Sequence, residues 1–97
     1  MTREDEKTAP IKVKGLPIPD VPKRIIANEL RDRIKRGVYE PGEMLPSLTK
    51  LEEMTGVARG TIRAAISILS EEGYLRSVIG MGTTILPTEY WGKGQPE

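Results

Sequence analysis

The sequence predicts an α+β fold, mostly α: three helices followed by a C-terminal β-hairpin. Three observations lead there. Apolar residues recur at helical spacing in two segments, first Ile26, Leu30 and Ile34, then Ile62, Ala65, Ile66 and Leu69. A shorter helical segment lies between them and stops at a glycine, Gly56. Near the C-terminus, two β-rich runs flank Gly80-Met81-Gly82, the pattern of a hairpin.

Residues 1–22 read as an extended, flexible arm. Pro10, Pro17, Pro19 and Pro22 remove backbone donors and bias the residues before them to extended conformations. Ile11-Lys12-Val13-Lys14 alternates apolar and basic residues, as a short strand or a phosphate-binding arm would. The first helix is predicted over 23–37. Pro22 suits its start, Ile25 and Ala27 widen the apolar stripe, and Gly37 follows a basic last turn. Tyr39-Glu40-Pro41-Gly42-Glu43 is a turn, with proline and glycine where a type II turn wants them. Met44-Leu45 is briefly extended. Ser47 is a candidate cap for a second helix over 48–55, with Leu51 and Met54 facing inward. Thr55-Gly56-Val57-Ala58 is the tight turn into the third helix, about 59–72, which Gly73 ends. The hairpin runs from Tyr74 to Leu86 and is closed by Pro87, and 88–97 is a short tail carrying Tyr90 and Trp91.

Composition removes several chemistries. The chain has 97 residues and neither Cys nor His, so a zinc site built on those ligands, a disulfide, a Cys nucleophile and a His acid–base pair are all impossible. No Ser or Lys sits in a recognisable nucleophile setting, so no enzyme, catalytic residue, metal or cofactor is expected. Uncharged runs are too short to span a bilayer, and Met1–Lys7 has no apolar signal region, so the expectation is a cytoplasmic protein without a membrane partner. The net charge of +1 does not itself advertise nucleic-acid binding. Its distribution is more telling. The arm sums to zero and the tail to −1, while residues 23–87 carry ten bases against eight acids, with none of those acids between Val57 and Leu69.

A short helix joined through a glycine-containing turn to a longer one is a helix-turn-helix, whose second helix enters the DNA major groove. Here that helix begins Arg59-Gly60-Thr61-Ile62-Arg63. Arg59 and Arg63 are four apart and project from nearly one face, opposite Ile62, Ile66 and Leu69. The planar arginine fork suits the O6 and N7 acceptors of guanine. Thr61 offers a hydroxyl to a phosphate, and Gly60 allows close backbone approach. Gly80, Met81 and Gly82 form a narrow tip able to sit at a sugar-phosphate edge or in the minor groove. Ser47, Thr49 and Ser67 complete the candidate DNA-binding set.

The stretch 23–87 resembles the N-terminal DNA-binding domain of the GntR family of bacterial transcription regulators. The residues that carry the resemblance are Ile26-Ala27, Leu30–Ile34, Gly37–Glu43, Leu45-Pro46-Ser47, Leu51, Gly56-Val57, Arg59, Thr61-Ile62-Arg63, Ala65, Leu69, Glu72-Gly73 and Gly80–Thr83. The resemblance implies a winged helix-turn-helix that reads palindromic operators on double-stranded DNA as a homodimer. It implies base contacts from Arg59 and Arg63, a backbone contact from Thr61 and a wing contact from Gly80–Gly82. The chain departs from the pattern in three places. Leu48 and Thr49 stand where the family usually has Glu-Arg, Ala58 where it has Ser, and Met81 where a basic residue is common. Each change weakens electrostatic grip, and the basic residues of the arm are candidates to compensate. Family members normally continue into an effector-binding, dimerising domain. Only about ten residues follow this wing, so no small-molecule effector is expected, and dimerisation falls to the first helix, the arm or Tyr90-Trp91. The reading is a sequence-specific transcription regulator acting as a repressor. A DNA-binding accessory factor of a mobile element, or a winged-helix protein-interaction module, are the alternatives.

Overall fold

The computed structural model describes residues 2–13, 20–78 and 82–94. Its elements are α1 (Arg3–Lys7), α2 (Asp20–Lys35), α3 (Leu48–Thr55), α4 (Arg59–Glu71), β1 (Leu75–Val78), β2 (Gly82–Ile85) and a 3-10 turn at Thr88–Tyr90. The three expected helices and the hairpin are all present. A first helix and a 3-10 turn are added to them.

The core is aliphatic, as a chain without Phe requires. Ile26, Leu30 and Ile34 of α2 face Ile62, Ala65 and Leu69 of α4, with Leu51 and Met54 of α3 and Leu75 and Ile85 of the hairpin closing the cluster. α2 begins at Asp20, three residues before the expected start, so Pro22 lies inside its first turn. That position is tolerated because the first four N–H groups of a helix have no intrahelical partner. Gly37, at φ 83°, ends the segment, and Val38 N–H donates to the Arg33 carbonyl at 2.9 Å.

β1 and β2 pair antiparallel, with Leu75 opposite Ile85 and Val78 opposite Gly82. The segment at 43–45 flanks β2: Ile85 N–H donates to the Glu43 carbonyl at 2.9 Å, and Leu45 N–H to the Thr83 carbonyl at 2.8 Å. This ties the start of α3 to the base of the hairpin. The hairpin tip at 79–81 lies outside the described residues, and Gly80 and Met81 with it.

Residues 2–13 correct the expectation of an extended, flexible arm. Residues 3–7 precede the first proline, and Thr2 and Asp5 form a reciprocal capping box that starts α1. Ile11 then inserts into the core, 5% exposed, and its N–H donates to the Met54 carbonyl at 2.9 Å. Arg33 is the one buried charged residue among those described. Its guanidinium donates to Glu29 Oε1 (3.0 Å) and to the carbonyls of Glu6 (3.1 Å) and Pro10 (3.4 Å). The Tyr39 hydroxyl donates to the Lys7 carbonyl, and burial pushes that phenol above its ordinary pKa, so it remains a donor. Lys7 pairs with Glu43, Arg36 with Glu6 and Arg3 with Glu40. Arg3 and Lys7 are thereby turned onto the 40–43 turn and do not serve as free basic groups.

The tail is also docked. Trp91 Nε1–H donates to the Leu86 carbonyl at 2.9 Å, and its ring lies 5.8 Å from that of Tyr74. Arg31 and Lys35 stack over the Tyr74 ring from α2. Trp91 is therefore a local patch against the domain. Gly73 permits this arrangement: at φ 86°, a Cβ there would sit 2.1 Å from the Tyr90 carbonyl oxygen.

Candidate nucleic-acid interface

α3 and α4 form the helix-turn-helix. Ser47 caps α3 by accepting from the Lys50 N–H at 3.1 Å. Gly56 ends it in the left-handed region at φ 71°, with its N–H on the Glu52 carbonyl. Val57 and Ala58 complete the turn, and Ala58 occupies the N-cap of α4 without any side-chain bond to the helix.

The outer face of α4, the start of α3 and the hairpin enclose an open groove of about 1140 Å³. Ser47, Thr49, Arg59, Arg63, Ser67 and Gly82 all line it. Six of the candidate residues, drawn from three elements, are thus brought to one surface. Arg59 and Arg63 are both exposed, while Ile62, Ile66 and Leu69 hold α4 to the core from its other side. Gly60 is exposed at the first turn with open space where a Cβ would be, and Thr61 is half-buried beside it, its N–H on the Ala58 carbonyl. Neither lines the groove; both sit at the end of α4. No acid occupies the first turn of α4, so its unpaired N–H groups and positive dipole end stay open to an anion such as a DNA phosphate.

Two features escaped the sequence reading. The groove is partly apolar: Met44 (50% exposed) and Val78 are the exposed large hydrophobic residues among those described, and Leu48 joins them on its wall. The outer face of α4 is also not free of acid. Glu52 reaches across the turn from α3 to accept from Arg59 Nε at 2.6 Å, Thr49 accepts from Arg59 Nη2 at 3.1 Å, and Glu71 lines the far end of the groove. Glu52 lies seven residues before Arg59, a separation that no single-helix spacing rule pairs. Only the bend of the turn brings the two together.

The uncapped start of α4 yields a test. Ala58 has the extended backbone of an N-cap (φ −66°, ψ 152°), so Ala58→Ser places a hydroxyl within reach of the Gly60 or Thr61 N–H. The expected gain is about 0.5–2 kcal/mol. For a domain of this size that is a rise of roughly 4–8 °C in melting temperature per kcal/mol, read by thermal denaturation. An unchanged or lower melting temperature would show that the cap site is not open.

Comparison with known proteins places this geometry. Residues 22–85 match the family described as bacterial regulatory proteins, gntR family. Among curated proteins, the chain is 36% identical over 67 residues to the HTH-type transcriptional regulator YieP of Escherichia coli K12, covering 69% of this chain and 29% of YieP. It is 40% identical over 62 residues to the mannosyl-D-glycerate transport/metabolism system repressor MngR of the same strain, covering 64% of this chain and 26% of MngR. The chain thus spans less than a third of the length of either relative. Among solved structures, it superposes on the DNA-binding domain of AraR in complex with operator ORX1 at a TM-score of 0.71 and 29% identity, covering 79% of this chain and 96% of that one. YtrA of Sulfolobus acidocaldarius, a GntR-family transcription factor, matches at a TM-score of 0.67 and 28% identity, covering 79% and 80%. With a winged helix-turn-helix in place and the family pattern running from the start of α2 through the hairpin, the chain belongs to the GntR family of bacterial regulatory proteins.

Proposed function

We propose that the chain is the DNA-reading part of a cytoplasmic transcription regulator. It acts as a repressor, and two copies read a pseudo-palindromic operator. α4 enters the major groove, Arg59 and Arg63 address base edges, Thr61 and the α4 N-terminus take phosphate, and the hairpin tip at Gly80–Gly82 lies at the backbone or minor groove. The observation that carries this reading is the pair of exposed arginines on one face of α4, set over an open groove. The fold is shared with a domain solved on its operator. No described helix is long and apolar enough to cross a membrane.

The test is a fluorescence-anisotropy titration on duplexes selected from a randomised pool. Sequence-specific binding with two chains per selected site is expected. Affinity should fall steeply with salt, because each neutralised phosphate releases counterions, with a log–log slope of about −0.9 per phosphate contact. Absence of duplex binding at low salt would refute the proposal. A strong bend in the bound DNA, with no site overlapping a promoter, would favour the architectural alternative.

A further inference from the structure

Arg59 is not a free side chain reaching for DNA. Its Nε donates to Glu52 at 2.6 Å and its Nη2 to Thr49 at 3.1 Å, both acceptors belonging to α3. Resting on the DNA-binding reading above, we infer that Glu52, assisted by Thr49, is a positioning residue that fixes which edge of the Arg59 guanidinium meets the DNA, and so sets specificity at the base pair Arg59 reads.

The chemistry follows from the shape of the fork. A guanidinium can grip a base with its side, through Nε and Nη2, or with its end, through Nη1 and Nη2. Nε has a single hydrogen, and Glu52 takes it. Side-on pairing is closed while that hydrogen bond holds, and the Nη1 hydrogens are what Arg59 presents outward. The two helices cannot shift to relax this, because Leu51 and Met54 of α3 and Ile62 and Ala65 of α4 are locked into one core. The pair is a poor candidate for holding the fold together. Arg59 is 48% exposed and Glu52 35% exposed, and exposed ion pairs contribute little to stability. Its charge has a second consequence. A carboxylate beside Arg59 repels phosphate, so the arginine gains less from sliding onto the backbone of an unrelated sequence. Discrimination is raised at the expense of general affinity.

The experiment uses the full chain and the duplex it selects from a randomised pool, with anisotropy titrations on that duplex, on each single-pair variant of it and on a random-sequence duplex. Glu52→Ala is expected to lower discrimination at one base pair by about fivefold or more, within the range that a good arginine–base contact supplies. Affinity for the random duplex should rise. Glu52→Gln keeps an acceptor for Nε and is expected to restore most of the discrimination, while random-duplex affinity stays raised. In an Arg59→Ala background, Glu52→Ala is expected to change discrimination at no position, an outcome that a merely structural role would not produce. If the unchanged chain selects an operator and Glu52→Ala keeps full discrimination, or loses it equally without Arg59, the inference is overturned while the functional reading stands. If the unchanged chain binds no duplex, both fall together.

Discussion

Replacing Arg59 and Arg63 together by alanine is expected to cost the chain about 2–6 kcal/mol in operator affinity, at about 1–3 kcal/mol for each arginine that addresses a base. That corresponds to a weakening between roughly 30-fold and 2 × 10⁴-fold. Both side chains are exposed and neither packs into the core, so the melting temperature should move little. The one ion pair removed, Arg59 with Glu52, is exposed, and such pairs contribute about 0–1 kcal/mol. The single changes should differ in kind. Arg63 lines the groove with no ion pair among the described residues, so Arg63→Ala should abolish recognition of one base and reduce the salt slope together. Arg59 is already partly neutralised by Glu52, so Arg59→Ala should reduce the salt slope less while still blurring selectivity at its own base pair. Anisotropy titrations at several salt concentrations, with thermal denaturation alongside, give both readouts. A double variant that retains sequence selectivity would remove the two arginines from the mechanism.

The parts of this molecule that the sequence announces are those governed by short-range rules. The apolar spacing of Ile26, Leu30 and Ile34, and of Ile62, Ala65, Ile66 and Leu69, predicts both long helices and the face each one buries. Ser47 and Gly56 mark the ends of α3 by the chemistry of a cap and of a left-handed turn. Arg59 and Arg63 are legible because about four residues make one helical turn. The features that are not legible depend on pairings between distant segments. The acid that faces Arg59 comes from another helix. The N-terminal segment carries four prolines and reads as an arm, yet residues 2–13 are fastened to the domain by Ile11, Arg33 and Tyr39, through partners up to 43 positions apart in the chain. Arg33 itself reads as one of several solvated bases on α2. Only its place under the folded-back segment makes it a buried one.

That burial makes replacement of Arg33 a direct test of what fastens residues 2–13 to the domain. Arg33→Met keeps the length and apolar stem of the side chain and removes its donors, so the Pro10 carbonyl loses its donor and the Glu6 carbonyl keeps only backbone N–H groups, Ala9 at 3.3 Å among them, while Glu29 can still turn toward water. Hydrogen bonds from a charged donor are worth about 1.5–3 kcal/mol each, and removing this cluster should lower stability by at least that much, a fall on the order of 10 °C in melting temperature. The damage should be local first. Ile11 is deprived of the clamp beside it, so trypsin should cut after Lys7 and Lys12 before the helix-turn-helix is attacked. Arg33→Lys keeps the charge but offers a point donor instead of a planar fork, so it should rescue only part of the stability. Acid should loosen the same segment by a separate route. The Lys7 ammonium and the Glu40 N–H hold the Glu43 carboxyl below its ordinary pKa, so its stabilising contribution is complete above the ordinary carboxylate range and is lost as pH falls through the lowered value. Lys7 is correspondingly raised, chiefly by Glu43, so its share of the pairing persists through neutral pH and is lost only as pH rises through its raised pKa. A variant at Arg33 that melts as the unchanged chain does, with residues 2–13 still resistant to trypsin, would show that the segment is held by Ile11 and Tyr39 without the arginine.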